Sequence, residues 1–495
     1  MKMPEPDKAV IERREEIISS LMKFVPSESI ISEKKELSVY ESDGLTAYRQ
    51  VPMIVVLPET VEQISQVLSY CYNNNVKIVP RGAGTSLSGG ALPLADGITL
   101  GLGKFNKILE IDYDNRCARV QPGVTNLSIS EAVKGHGFYY APDPSSQIAC
   151  TIGGNVAENS GGVHCLKYGL TTNNILGLQM VLPDGEIVSL GGKHMDSEGY
   201  DLLGLMTGSE GLLGIITEVT VRILSRPTSA NALMIGFDSS EQAGKCVANI
   251  IADGIIPGGM EMMDGPAIEA AAAFVKVGYP LNVGAFLLVE LDGPFEEVNF
   301  LIDRVKEIAN SQGAVSLRVS RNEEEREQFW AGRKAAFPAI GRLTPDYYCV
   351  DGTIPRSKLP EVLARMSELS KTYGLKVANV FLAGDGNLHP LIMYDANNPG
   401  ELERAENFGS DILKLCVEVG GVLTGEHGVG VEKRDLMGVM FSEIDLNQQQ
   451  RVKCAFDPHQ ILNPGKVFPT LHRCAELGRV HIHKGKMPFP DIPRF

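Results

Sequence analysis

The chain has 495 residues, and its 46 basic and 61 acidic side chains leave a net charge of −15 at pH 7. The length implies several domains rather than one core. A balance this acidic argues against a general binder of nucleic-acid phosphates.

In chain order, Val10, Ile11, Ile17, Ile18, Leu21 and Met22 recur at helical spacing, so residues 7–24 read as an amphipathic helix. Val51 to Leu57 reads as a buried strand. Thr60 with Gln63 forms a capping box for a helix whose inner face is Val61, Ile64, Val67, Leu68 and Cys71. Val76 to Val79 is the next strand, which makes a β-α-β unit. That unit delivers Pro80 to Pro93, a run carrying Arg81, Gly82, Gly84, Thr85, Ser86, Ser88, Gly89 and Gly90. Glycines let backbone approach a ligand, and successive N–H groups make an anion nest suited to a pyrophosphate. The spacing is not the G-x-G-x-x-G of a Rossmann fold, and the next segment, Gly97 to Leu102, reads as a strand rather than a helix. A glycine-rich surface turn is the plain alternative for this run alone.

Arg116 to Gln121 is another strand, and Asn126 opens a short helix ending near Gly135. A second polar loop runs from Ala141 to Gln147, and a third from Thr151 to Val163 with Gly153, Gly154, Asn155 and Gly161. Ile175 to Leu182 and Glu186 to Leu190 form a hairpin turned by Pro183-Asp184-Gly185. A fourth glycine stretch, Gly208 to Gly214, enters the strand Ile215 to Leu224. Such loops, each abutting a strand, point to one shared ligand surface.

Pro227 to Asn231 marks a boundary. Beyond it strands at 232–237, 283–291, 347–354 and 376–382 alternate with helices at 240–253, 296–312, 358–373 and 400–420. The pattern predicts an α+β second domain, an antiparallel sheet with helices on one face. Three polar clusters interrupt it. Trp330-Ala331-Gly332-Arg333-Lys334 offers Arg333 as a bidentate grip for a carboxylate, with a solvated arginine at a helix end as the alternative. Gly384-Asp385-Gly386-Asn387-Leu388-His389-Pro390 and Thr424-Gly425-Glu426-His427-Gly428 could together make a metal site with a neighbouring base. His164 lies in the third loop without an obvious partner, and the other histidines fall in turns or the tail.

The nine cysteines stand singly with no C-x-x-C, which argues against a zinc ribbon or an iron–sulfur cluster within this chain and fits reduced thiols in a cytosolic protein. Met1 to Arg14 has no apolar core, so it does not read as a secretory signal. No apolar run reaches the ~18 residues that span a bilayer. Direct membrane insertion is therefore not expected.

Seven stretches, Pro80 to Pro93, Tyr139 to Leu170, Gly208 to Val221, Phe329 to Pro355, Val377 to Pro390, Gly425 to Gly430 and Phe456 to Pro469, together carry a family resemblance. The chain resembles the FAD-linked D-lactate and D-2-hydroxyacid dehydrogenases of the vanillyl-alcohol-oxidase type, the family that includes the flavin-binding subunit of bacterial glycolate oxidase. The similarity runs over nearly the whole chain. It implies an α+β fold in which an FAD-binding domain of two subdomains (51–227) is followed by an α+β cap domain with an antiparallel sheet (228–452). An N-terminal helical segment (1–50) precedes them, and a C-terminal segment (453–495) returns to the flavin.

By the same resemblance Arg81, Gly82, Gly84, Thr85, Ser86 and Gly89 hold the FAD pyrophosphate. Pro142, Ser145, Gly153, Gly154, Asn155 and Gly161 line the flavin, with Ile215 and Ile216 near the adenine and Asn463 and Lys466 approaching from the tail. Relatives that bind flavin covalently use a histidine in the first loop; Thr85 stands nearest that position, so non-covalent FAD is expected. Arg333 is implied to bind the substrate carboxylate, His389 and Glu426 a divalent metal such as zinc or manganese, and His427 to act as base. The family carries a further histidine seven residues before His389, where this chain has Leu382. The expected activity is oxidation of a small 2-hydroxy acid, glycolate or D-lactate. The alternatives are a catalytically weakened flavin subunit with an assembly role, or a stand-alone D-lactate or D-2-hydroxyglutarate dehydrogenase. A second flavin subunit and an iron–sulfur subunit are the implied partners, with a cytoplasmic location and any membrane association made through them.

Overall fold

The computed structural model describes residues 3–194, 199–275 and 278–469. The end of the expected C-terminal segment, with His472, Cys474, His481 and His483, lies outside the described residues. The amphipathic stretch near the N-terminus is two helices, Lys8–Glu12 and Arg14–Leu21, with Arg13 leaving helical geometry between them. Val10, Ile17, Ile18 and Leu21 are its buried face, while Ile11 and Met22, expected with them, are exposed.

Strands Ile54–Val56, Gly97–Gly101 and Lys77–Arg81 lie parallel, and Ile30–Ile31 adds an antiparallel edge to make four strands. The crossover helix Val61–Asn74 starts where the Thr60 hydroxyl accepts the Gln63 N–H at 3.2 Å. Gln63 returns its carbonyl to the N–H of Glu59, one residue before the cap, at 2.7 Å. A second, five-stranded antiparallel sheet runs in the order Ile108–Asp112, Cys117–Val120, Ile215–Arg222, Ile175–Val181, Ile187–Gly191. The third glycine loop is helical in its first half, Ile152–Glu158, because Ile152 and Val156 turn inward and Gly153 rests on Pro122, where a Cβ would come within 2.5 Å.

The largest sheet has seven antiparallel strands in the order Ser316–Val319, Ser229–Phe237, Ala285–Gly293, Gly259–Asp264, Val377–Phe381, Pro390–Tyr394, Asp346–Cys349. Helices cover both of its faces rather than the single face expected. Leu233, Ile235, Phe237, Leu287 and Val289 pack with the helices Ser240–Ala252, Phe295–Ser311, Leu359–Tyr373 and Glu401–Glu418. Ala232, Met234, Phe286 and Leu288 point the other way, toward the helices Gly265–Phe274 and Glu323–Lys334. Alternate residues of a strand face opposite sides, so a strand apolar at every position needs cover on both. The strands Gly259–Asp264 and Pro390–Tyr394 escaped the sequence pattern. One is methionine-rich, and the other opens on a proline, which is harmless at a strand start.

The tail closes the molecule. Ile461 accepts the N–H of Ile78, and Ile78 accepts that of Asn463, both at 2.7 Å, so the tail extends the edge of the parallel sheet. Buried Lys453 pairs with Asp457 and donates to the carbonyls of Leu212 (2.6 Å) and Leu462 (2.9 Å). Seven cysteines are free and buried. Among the described residues, no helix is long and apolar enough to cross a membrane.

Removing one partner of a buried ion pair strands the other and costs roughly 3–5 kcal/mol. Lys453→Met should therefore lower the midpoint of thermal inactivation by several degrees; an unchanged midpoint would show that the tail does not depend on this pair.

Candidate active site

Residues from both subdomains, the cap and the tail surround one cavity of about 570 Å³. Arg81, Gly82, Gly84, Thr85 and Ser86 come from the loop after strand Lys77–Arg81. Ser145, Gly153, Gly154, Asn155, Ile215 and Ile216 come from the second subdomain, and Asn463 from the tail. The cap supplies Lys334, Phe337, Pro338, His389, Glu426 and His427.

Five expected site residues stand off the cavity wall. Gly89 packs against Val431. The carbonyl of Pro142 accepts Asn126 Nδ2 at 3.0 Å. Gly161 donates its N–H to Glu426 Oε2 at 3.1 Å, so it holds the cap rather than lining the flavin cavity. Lys466 sits behind the first loop, donating to the carbonyls of Gly90 (2.7 Å) and Leu92 (2.8 Å) and to Asn463 Oδ1 (2.6 Å). Burial pushes its pKa down to about 7. Arg333 is 3% exposed, and its Nε donates to Glu261 Oε2 at 2.7 Å, so the solvated arginine considered from the sequence is excluded.

The backbone N–H groups of Gly82 to Leu87 have no acceptor among the described residues, and all of these residues line the cavity. A run of free N–H groups at a cavity wall is an anion nest. Gly84 has φ +71°, and a side chain there would collide with the Arg81 guanidinium. At Gly82 a Cβ would come within 2.5 Å of Thr151 Oγ1. These are features a pyrophosphate cradle requires, and the loop fits FAD.

The chemistry-bearing side chains of the cap are arranged by a residue the sequence did not single out. Asp351 is fully buried; its Oδ2 accepts the N–H groups of Gly425 (3.0 Å), Glu426 (2.8 Å) and His427 (2.7 Å). Its Oδ1 takes the Thr424 hydroxyl at 3.1 Å and the ammonium of buried Lys433. Although burial opposes its charge, the Lys433 ammonium holds Asp351 well below the usual carboxylate range. The His427 ring stacks on that of His389, 5.1 Å between centroids. Burial lowers the His427 pKa to about 4, Asp351 opposing and His389 assisting. An imidazole held neutral in this way is free to accept a proton.

His389 is 3% exposed, and neither ring nitrogen has a hydrogen-bond partner; its Nε2 lies 3.3 Å from Glu426 Oε1. One ligand atom from each of Asp351, His389 and His427 also lies within 4.8 Å of the others. Asp351 is already filled by five donors, so the pair left for an ion is His389 and Glu426. Val380 opposes His389 and Leu382 opposes Asn387, so Leu382 and His389 share a face.

Two carboxylates also line the cavity. Glu158 is raised well above the usual range by burial and by Glu210, and its Oε2 has no partner. Glu210 accepts the N–H groups of Val429 and Gly430, both at 2.7 Å, tying the fourth glycine loop to the cap. His164 gains two partners that the sequence does not show, Asp143 Oδ2 at 2.9 Å and Glu290 Oε1 at 3.2 Å. Against the cost of burial, these carboxylates raise its pKa well above the ordinary value. The signal for such residues is an ionisable side chain inside an apolar run, as Asp351 is in 347–354.

A nucleotide cradle between two subdomains, facing an imidazole on a third, defines a flavin-dependent oxidoreductase of FAD-domain-plus-cap type. The chain matches the family models "FAD binding domain" over residues 52–191 and "FAD linked oxidases, C-terminal domain" over 226–467. The chain belongs to the FAD-linked oxidases. It is 55% identical to the glycolate oxidase subunit GlcD of Escherichia coli K12, over 97% of each chain. It is 32% identical to the D-lactate dehydrogenase of Anaerostipes hadrus, over 91% of this chain and 97% of that one. Among solved structures, 4-ethylphenol oxidase from Gulosibacter chungangensis matches with a TM-score of 0.78 at 18% identity, covering 96% of this chain and 100% of that one, a likeness of fold.

Gly84→Val should lower the ratio of flavin to protein absorbance at least several-fold. Gly135→Val, where an added Cβ meets nothing within 4 Å, should not. Equal flavin content in the two would remove the loop from the cofactor site.

Proposed function

We propose that the chain oxidises a small 2-hydroxy acid, glycolate or D-lactate, to the 2-oxo acid with non-covalently bound FAD. The observation that carries this is His427, neutral and fixed by Asp351, on the cap side of a cavity whose other walls are the glycine loops. The relatives named glycolate oxidase subunit and D-lactate dehydrogenase support the substrate class. Pro80 to Pro93 holds no His, Cys or Tyr, which supports non-covalent attachment.

FAD, when bound, supplies the hydride acceptor. His427 takes the hydroxyl proton, which makes loss of hydride from the adjoining carbon far easier. Arg333 and Lys334 attract the substrate carboxylate at the end of helix Glu323–Lys334. His389 and Glu426 are the residues that would hold a divalent ion such as zinc or manganese, which would polarise the substrate oxygens. Leu382 leaves that set one donor short, and it favours the second reading, a weakened subunit kept for assembly. The relative's name, a subunit, supports work within a complex, and a second flavin subunit with an iron–sulfur subunit fits a chain that has no cluster motif of its own. A cytoplasmic location, with the membrane reached through such partners, follows from that reading.

Anaerobic glycolate or D-lactate should bleach the visible flavin band of the purified chain. His427→Ala should keep its FAD and slow bleaching by about 10²–10⁴-fold, the usual contribution of a general base. A flavin that stays oxidised in the unaltered chain would move the reading to the weakened subunit, and an unchanged rate in the variant would remove His427 as base. Leu382→His should raise bound zinc or manganese toward one per chain, measured by elemental analysis. An unchanged metal content would show that position 382 is not a ligand position.

A further inference from the structure

Arg333 and Glu261 form an ion pair that the sequence pattern concealed, because Glu261 lies in the unpredicted strand Gly259–Asp264. Arg333 is 3% exposed and Glu261 1%. The contact is made through Arg333 Nε to Glu261 Oε2 at 2.7 Å. A guanidinium has five N–H donors, and this bond uses one. The terminal nitrogens of Arg333 make no hydrogen bond among the described residues, and they are not sealed from solvent, whereas Glu261 Oε1 is both sealed and unpartnered. The next residue, Lys334, lines the cavity with Phe337, His389 and His427. A nearly buried guanidinium with its planar fork open is built for a bidentate carboxylate.

We infer that Glu261 is a positioning residue for the substrate carboxylate: it fixes Arg333 by Nε, just behind the wall that Lys334 lines, and cancels most of its charge, so the fork is held in place but its pull is moderated. The inference rests on the 2-hydroxy-acid reading above. Glu261 and Arg333 together are neutral, and an arriving monoanion meets Lys334 as the uncancelled cation of the helix end. Binding is thereby kept loose while orientation is kept strict. Without the Glu261 charge, Arg333 is an uncompensated buried cation, and an anionic ligand becomes its counter-charge.

The test uses the FAD-loaded chain at pH 8, above the value of about 7 to which burial, opposed by Arg333, pushes Glu261. The probe is oxalate, a small dicarboxylate with no C–H hydride to lose, read by perturbation of the flavin spectrum. In Glu261→Gln, oxalate affinity should tighten at least threefold while the rate of flavin reduction by saturating glycolate falls, and affinity for neutral glycolamide should stay within twofold. General damage to the site would weaken all three. Unchanged or weaker oxalate binding would overturn the inference. If Glu261→Gln yields no FAD-loaded protein, Glu261→Asp, whose carboxylate is drawn back from Nε, should tighten oxalate at least twofold, and unchanged affinity there overturns it equally. An unaltered chain that neither binds oxalate nor is reduced by glycolate would take down the 2-hydroxy-acid reading and this inference together. An unaltered chain that does both, beside a variant that does not tighten, would overturn this inference alone.

Discussion

The site depends on the buried carboxylate of Asp351. Three consecutive N–H groups, a hydroxyl and the ammonium of Lys433 converge on it, and together they fix the path of the chain from Thr424 to His427. A charge taken out of water is tolerated only when such donors replace its hydration. That requirement makes the loop rigid: moving His427 would strand Asp351 and Lys433. The position of His427, the stacking of its ring on His389 and the closeness of Glu426 all follow from one satisfied anion.

The remaining buried charges join parts of the molecule that are distant in sequence. Glu210 ties the second subdomain to the loop just after His427. Asn463 and Lys466 bring the tail to the carbonyl of Gly90 at the end of the nucleotide loop. His164 binds Glu290, and Lys167 and Tyr168 bind Asp292, so the FAD-binding half is fastened to the cap sheet. The cavity is thus an interface between halves, held by polar contacts at its rim. The open N–H groups of the first loop face it from one side and the histidines from another.

The cap also distributes its charges by depth. Arg333 and Lys334 are neighbours in sequence, yet one is buried against Glu261 and the other lies at the cavity wall. Successive residues of a helix point about 100° apart, so adjacent cations at a helix end sit at different depths. Leu382, by contrast, is an apolar side chain that strand register places on the same face as His389.

Local signals were legible where one segment decides its own state. The β-α-β unit, the hairpin at 175–191, the long amphipathic helices and the glycine loop at Pro80 to Pro93 announce themselves by period, caps and glycine placement. So did the two loops bearing His389 and His427. The second cover of the cap sheet, the strands Gly259–Asp264 and Pro390–Tyr394, and the helix inside the third glycine loop did not, because each is stabilised by neighbours remote in sequence. The same holds for Asp351, Glu261, Glu158 and the partners of His164: the meaning of a buried charge lies in what meets it. Sequence by itself determined where the glycine-rich loops lie, which residues have the chemistry of a base or a ligand, and the alternation of strands with helices, since these rest on short-range sterics and residue chemistry. Only the tertiary structure decided that Arg333 is paired, that Asp351 holds His427 and that Leu382 shares a strand face with His389, because burial and pairing are set by chain segments far apart in sequence.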